Sequence, residues 1–207
     1  MEGAISSRPN TRIAVVTGGN KGIGFEVCRQ LASHGGVTVI LTARDETRGT
    51  EAAERLRAPG LTDTDVVFHR LDITDASSIA TLADFVKTRF GKLDILVNNA
   101  GVGGVEYPQE LDTNDEKFAG LDSNQRLEWM VKNVREPIDA ARGAVETNYY
   151  GTKHVTQALL PLLLQSSSQG RIVNVPSEYG LLRGTLTPPC RACPVRRECL
   201  VRDTTTR

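Results

Sequence analysis

The alternation of short apolar runs with stretches of helical period constrains this chain more than any other feature. Apolar runs at 13–16, 37–41, 66–68 and 93–97 have the length of buried strands, the third finishing at Leu71-Asp72. Between them, 22–33 gathers Phe25, Val27, Cys28 and Leu31 on one face, and His34-Gly35-Gly36 ends it. A charged helix opens after Thr42-Ala43-Arg44-Asp45 and runs to about Ala58, where Pro59-Gly60 closes it. Asp75 is placed to cap a third helix through Arg89, with Ile79, Leu82, Phe85 and Val86 facing inward. A further helix is predicted over 143–164 and a fifth strand over 171–175. Near-continuous apolar strands alternating with helices imply a parallel sheet covered on both faces. Right-handed crossovers then give an α/β, doubly wound sheet of order 3-2-1-4-5.

In such sheets ligands bind beyond the carboxyl ends of the strands. Four loops meet there: Gly18–Gly24, Arg44, Asp72 and Asn98–Gly101. The first is the most informative. Ile13-Ala14-Val15-Val16 breaks at Thr17-Gly18-Gly19 and restarts as a helix near Gly22, with the spacing Gly18-x-x-x-Gly22-x-Gly24. A helix start has unpaired N–H groups and partial positive charge, which suit a phosphate. Glycine is required where the turn needs positive φ and where a ligand must touch bare backbone.

Bulk properties exclude other classes. The 207 residues, 39% of them hydrophobic, can bury one sizeable core. A formal net charge of zero argues against a nucleic-acid surface built on bulk charge. No apolar run has membrane-spanning length; 159–164 is short and broken by Pro161. The first ten residues are polar, without an apolar leader, so a cytoplasmic protein is expected. Cys190-x-x-Cys193 and Cys199 amount to half a zinc site, and no metal is expected.

The organisation expected is a domain over 1–182 and a disordered tail over 183–207, which holds six arginines against two acids. Residues 102–140 break the alternation with polar, acidic, loop-like sequence. Trp129, Met130 and Val134 hint at a short helix inside it. Such a segment is either a surface excursion or a lid over the cleft.

Thr17-Gly18-x-x-x-Gly22-x-Gly24, Asp72, Asn98-Asn99-Ala100-Gly101, Asn148 and Asn174-x-x-Ser177, in that order, resemble the short-chain dehydrogenase/reductase family. The likeness runs from about Arg12 to Leu182 and is greatest to the monomeric carbonyl-reductase branch, which holds neomenthol dehydrogenase and salutaridine reductase. It implies a Rossmann-like fold and hydride transfer between NADPH and a small-molecule ketone or aldehyde. It also implies a monomer, because in that branch the segment matching 102–140 packs where other members dimerise. Thr17, Gly18, Asn20, Lys21, Gly22, Ile23 and Gly24 would cradle the pyrophosphate and adenosine ribose. Asp72 and Ile73 would hold the adenine, Asn99 would touch the adjacent ribose, and Gly101 would let the backbone pass close. NADP+ is favoured over NAD+ on chemical grounds. The position about 20 residues beyond the glycines, acidic where a ribose 2′-OH is read, is Arg44 here, with Lys21 able to join it on a 2′-phosphate.

The resemblance assigns carbonyl polarisation to Ser177 and positioning of a relay water to Asn148. Pro176 removes a backbone donor beside that site. The family's Tyr-x-x-x-Lys follows the serine on a helix, and here the only tyrosine after Ser177 is Tyr179, with Arg183 in place of the lysine. Tyr149-x-x-x-Lys153 has the spacing but precedes Ser177. A regular helical step of about 100° also turns Tyr149 away from Asn148. The chain therefore reads as C-terminally abbreviated, without the family's last strands and with its fifth strand an exposed edge. Two functions stay open: an NADPH-dependent oxidoreductase, or a catalytically impaired nucleotide-binding fragment or pseudoenzyme.

Overall fold

A computed structural model describes residues 11–57, 65–106, 120–122, 125, 128–129, 135, 137–166 and 169–176. The chain divides into two units, Met1–Val175 and Pro176–Arg207. Everything described here except Pro176 lies in the first. Ser177, Tyr179, Arg183 and the three cysteines at 190, 193 and 199 lie outside the described residues, as does most of the segment 107–136.

Five strands form one sheet: β1 (Arg12–Val16), β2 (Val37–Ala43), β3 (Val66–Arg70), β4 (Ile95–Asn98) and β5 (Arg171–Asn174). Every pairing is parallel and the order is β3-β2-β1-β4-β5, as the alternation and crossover rules predict. Residues of β1 divide between two cores because successive side chains point to opposite faces. Ile13 and Val15 join Leu82 and Val86 of α3 (Ala76–Phe90) and Val155 and Leu159 of α5 (Thr152–Leu163). Ala14 and Val16 join Cys28 and Ala32 of α1 (Gly22–Ser33) and Ala53 and Leu56 of α2 (Glu46–Arg57).

Helix ends follow the sequence closely. The Asp75 side chain accepts from the Ser77 N–H at 2.8 Å, the expected cap of α3, and Gly91 closes that helix at φ 71°. Gln125, Glu128 and Trp129 are helical.

The helix expected to start at Gly143 starts earlier. α4 (Ile138–Val145) begins after Pro137, which takes the cap position with extended backbone, and it carries Asp139 in its first turn. Gly143 is simply tolerated inside it, at the modest cost of a helical glycine. A π-turn (Glu146–Gly151) then joins α4 to α5. Such wide turns leave no period that a sequence scan recovers.

Strand β4 likewise starts at Ile95 rather than Leu93. Asp94 is 1% exposed, and its carboxylate replaces a backbone acceptor, taking the Ile13 N–H at 2.8 Å. It also accepts from the Ser166 hydroxyl and pairs with Lys92 Nζ at 3.0 Å. The Asp94 N–H donates to Ile13 O, and its own carbonyl accepts from the Arg171 N–H. One residue, through its carboxylate and its backbone, thus ties β1, β4, β5 and the segment after α5 at the end of the sheet away from the four loops.

Burial alone would raise the Asp94 pKa, but hydrogen bonds from Ser166 and Ile13, with Lys92 beside them, hold it below the ordinary carboxylate value. A depressed folded-state pKa stabilises the fold above the unfolded value, near 4, and that contribution is lost as pH falls through the folded value. Asp94→Asn is expected to destabilise the protein by about 1–3 kcal/mol at pH 7, because an amide cannot accept every one of these donors. Denaturant titration at pH 7 and again near pH 3 checks this, with the difference from the unaltered protein shrinking at the lower pH.

Candidate functional site

The four loops that the sequence pointed to meet at the carboxyl ends of β1, β2, β3 and β4. The turn after β1 is held from both sides. The Thr17 N–H donates to Val97 O at 3.0 Å and the Gly19 N–H to Thr42 O at 2.8 Å. Gly18 and Gly22 take φ of 64° and 56°, the left-handed region that a side chain disfavours.

Thr17 and Asn99 lock this turn to the loop after β4. The Thr17 hydroxyl, 2% exposed, accepts from the N–H groups of Asn99 and Ala100, each at 2.9 Å. Asn99 Nδ2 donates to the carbonyls of Thr17 at 2.9 Å and Gly18 at 3.0 Å. Both residues were expected to face a nucleotide. Thr17 instead spends its hydroxyl inside the protein, and both amide protons of Asn99 are taken, leaving Asn99 Oδ1 as its free polar atom. Their role in the geometry is to shape the cradle.

Gly24 is what lets that lock form. A Cβ there would run into Asn99 Nδ2 and Gly18 O. The first turn of α1 therefore lies directly against the lock. Helix α1 has Lys21 at its cap position, no side-chain cap and no acid in its first turn. By contrast α2 opens with the Asp45 carboxylate on the Arg48 N–H at 2.9 Å, and α3 opens with Asp75. Ile23 is 65% exposed on this first turn, and Lys21 and Arg44 are exposed beside the same loops. Sequence reading gave Gly19 no role. A Cβ there would stand 2.9 Å from Leu41 Cγ and 3.0 Å from Cys28 Sγ, so the turn passes closely over the core. Burial pushes the Cys28 thiol up to about 12, so it carries no thiolate chemistry.

After β3, Asp72 Oδ1 accepts from the N–H and hydroxyl of Thr74 at 2.9 and 2.7 Å, and the Asp72 N–H donates to Ser78 Oγ. Ile73 is 6% exposed and its side chain belongs to the core. Only its backbone is left to meet a ligand, and Gly151 packs against that backbone: a Cβ on Gly151 would come 2.8 Å from Ile73 O.

Asn148 sits in the π-turn and clamps the loop after β4. Its Oδ1 accepts from the Val102 N–H and its Nδ2 donates to Val102 O, both at 2.9 Å. Gly101 leaves room for it, since a Cβ there would stand 3.3 Å from Asn148 Oδ1. An open cleft of about 460 Å³ runs from Asn148 and Tyr149 along Thr152, Lys153, Thr156 and Gln157 to Ile172 and Asn174 of β5. Asn148, Tyr149 and Lys153 all border this cleft, with Asn148 and Tyr149 inside the π-turn rather than a regular helix.

A family model described as short chain dehydrogenase matches residues 12–189. The chain belongs to the short-chain dehydrogenase family. It is 48% identical over 184 residues to (−)-isopiperitenone reductase of Mentha piperita, covering 83% of this chain and 58% of that protein. The solved structure of salutaridine reductase from Papaver somniferum superposes with TM-score 0.73 at 47% identity, over 83% of this chain and 59% of that one. The NADPH carbonyl reductase 1 of Sus scrofa is 38% identical over 172 residues, 83% of this chain and 49% of that protein. The branch expected from the motifs is borne out, and the chain spans 49–59% of the length of these short-chain reductases.

Within this short-chain dehydrogenase the lock is testable. Gly24→Ala is expected to cost about 1–3 kcal/mol, the usual penalty for forcing a methyl into a packed contact. Gly22→Ala meets open space and carries only the left-handed backbone penalty, about 1–2 kcal/mol. Urea denaturation of both variants checks the magnitudes, and G24A alone is expected to displace the Asn99 amide resonances.

Proposed function

We propose that this short-chain dehydrogenase is an NADPH-dependent carbonyl reductase, moving hydride between NADPH and a small ketone or aldehyde. One observation carries the reading: the glycine cradle locked by Asn99, beneath a helix start with a cation where its sister helices have acids. The residues present fit a dinucleotide phosphate. A Cβ at Gly22 would stand in open space over the turn, and the uncapped first turn of α1 leaves its N–H groups for an anion. NADPH, when bound, supplies the hydride.

This chain's own residues do the rest. The backbone from Gly18 through Asn20 to Gly24, with Ile23, binds the pyrophosphate and ribose, while Lys21 and Arg44 take the 2′-phosphate. Asp72 and the Ile73 backbone orient the adenine, and Gly101 admits the ligand beside Asn99 Oδ1. Ser177 polarises the substrate carbonyl by hydrogen bonding, and Asn148 orders the groups that deliver the one proton that accompanies the hydride. The relative named for NADPH supports the cofactor choice, and the relatives named as reductases support the reaction direction. The proposal includes a monomer in a reducing compartment such as the cytoplasm, which suits the buried free thiol of Cys28. Among the described residues no helix is long and apolar enough to cross a membrane.

Calorimetry with NADPH and NADH, followed by NADPH oxidation over a panel of ketones, tests the reading. NADPH is expected to bind more tightly than NADH and to be oxidised in the presence of ketone. Binding without turnover would leave a nucleotide-binding part alone. Arg44→Asp is expected to weaken NADPH binding about 10- to 100-fold, the worth of a charge-assisted hydrogen bond, and to leave NADH binding nearly unchanged.

A further inference from the structure

Arg70, the last residue of β3, reaches across the end of the sheet to the strand beside it. It lies level with Ala43, the last residue of β2, and its Nε donates to the carbonyl of Arg44 at 3.2 Å. Side chains two apart on a strand share a face. Phe68 packs into the core beneath α1 and α2, so Arg70 stands on that face too, the side on which α1 carries Lys21 at its cap.

Neither stability nor protection of a strand edge accounts for this arrangement. Arg70 and Arg44 are both exposed, so the bond between them competes with water, while holding a long side chain in one place costs rotamer freedom. Strand β3 is the outer strand at its end of the sheet, and a charge there can guard the edge. A guard points away from the sheet, whereas Arg70 folds over the end of β2.

The charge of Arg70 is also left unpaired: among the described residues it forms no ion pair. The acids around it are engaged within their own loops. Asp45 takes the Arg48 N–H at 2.9 Å and faces Arg48 Nε at 3.8 Å. Asp72 accepts from Thr74. Asp75 accepts from the N–H and hydroxyl of Ser77, which hold its carboxyl below the ordinary value, with a smaller contribution from the charge of Arg70. A guanidinium has five N–H donors. With Nε on the Arg44 carbonyl, those on Nη1 and Nη2 remain, in a planar fork that suits phosphate oxygens.

We infer that Arg70 is a specificity-determining residue for the cofactor: its Nε holds the Arg44 backbone, and its Nη groups bind the 2′-phosphate beside the side chains of Arg44 and Lys21. This rests on the NADPH reading above and adds to it a third cation, supplied by β3.

The test is calorimetry on the full chain with NADPH, NADH and adenosine 2′,5′-bisphosphate, the last free of the nicotinamide half. Arg70→Gln is expected to weaken NADPH and the bisphosphate about tenfold or more, and to leave NADH within about twofold. Arg70→Lys keeps the charge but loses the fork, and is expected to recover only part of that affinity. In an Arg44→Ala background R70Q is expected to weaken the bisphosphate again, by about threefold or more, because the contact is Arg70's own. An equal loss for all three ligands would make Arg70 a mere brace of the loop, and no loss for any would make it a solvated surface charge. Either result overturns the inference. An R70Q effect that vanishes in the Arg44→Ala background does so as well, since Arg70 would then act only through Arg44. The two readings fail separately. An unaltered chain that binds NADPH no tighter than NADH sinks both, whereas an unaltered chain that prefers NADPH, with R70Q keeping the whole of that preference, sinks only the role of Arg70.

Discussion

The contact on which the upper rim of this molecule depends is the Asn99 amide lying across the carbonyls of Thr17 and Gly18. Two loops from neighbouring strands, far apart in sequence, are made into one rigid lip by it. It exists because Gly24 has no side chain, so the first turn of α1 can press against the same atoms. Thr17 completes the lip from beneath by accepting two N–H groups that would otherwise be buried without partners. On the proposed reading a phosphate would meet no side chain at the point of contact, only preorganised backbone N–H groups and a helix dipole.

Charge is distributed to match. Helices α2 and α3 open with aspartates on their free N–H groups, whereas α1 opens with Lys21. An aspartate cap would stabilise α1 locally and would also occupy the site a phosphate needs. The carboxylate that ties the sheet together, Asp94, stands at the opposite end of the strands. The glycine turn and the Asp94 staple therefore stand at opposite ends of one sheet.

Among the described strands the fifth is the least covered. All four of its residues are exposed, Ile172 by 41% and Val173 by 47%, and these two point to opposite faces. A parallel sheet ordinarily has both faces covered. What holds β5 among the described residues is its pairing to β4, the Arg171 N–H on Asp94 and the amide bridge to Asn98. Strand placement here rests on polar geometry more than on burial, which is why single hydrogen bonds carry unusual weight at that edge.

The sequence by itself determined the strand order, the glycine turn, the cap at Asp75 and the family. Each of these is local, or follows from periodicity and crossover handedness, and local rules survive without coordinates. Only the tertiary structure decided which side chains brace the loops. Thr17 and Asn99 read as ligand contacts in the motif, yet the Thr17 hydroxyl and the Asn99 amide protons are spent on each other's loops, because residues 82 positions apart meet there. The contacts of Asp94 and Gly151 and the Asn98–Thr156–Asn174 bridge could not be read from the sequence, since a polar residue or a glycine declares no partner. The π-turn escaped for a related reason: its widened step has no propensity signature, and packing of Asn148 on Val102 and Gly151 on Ile73 sustains it.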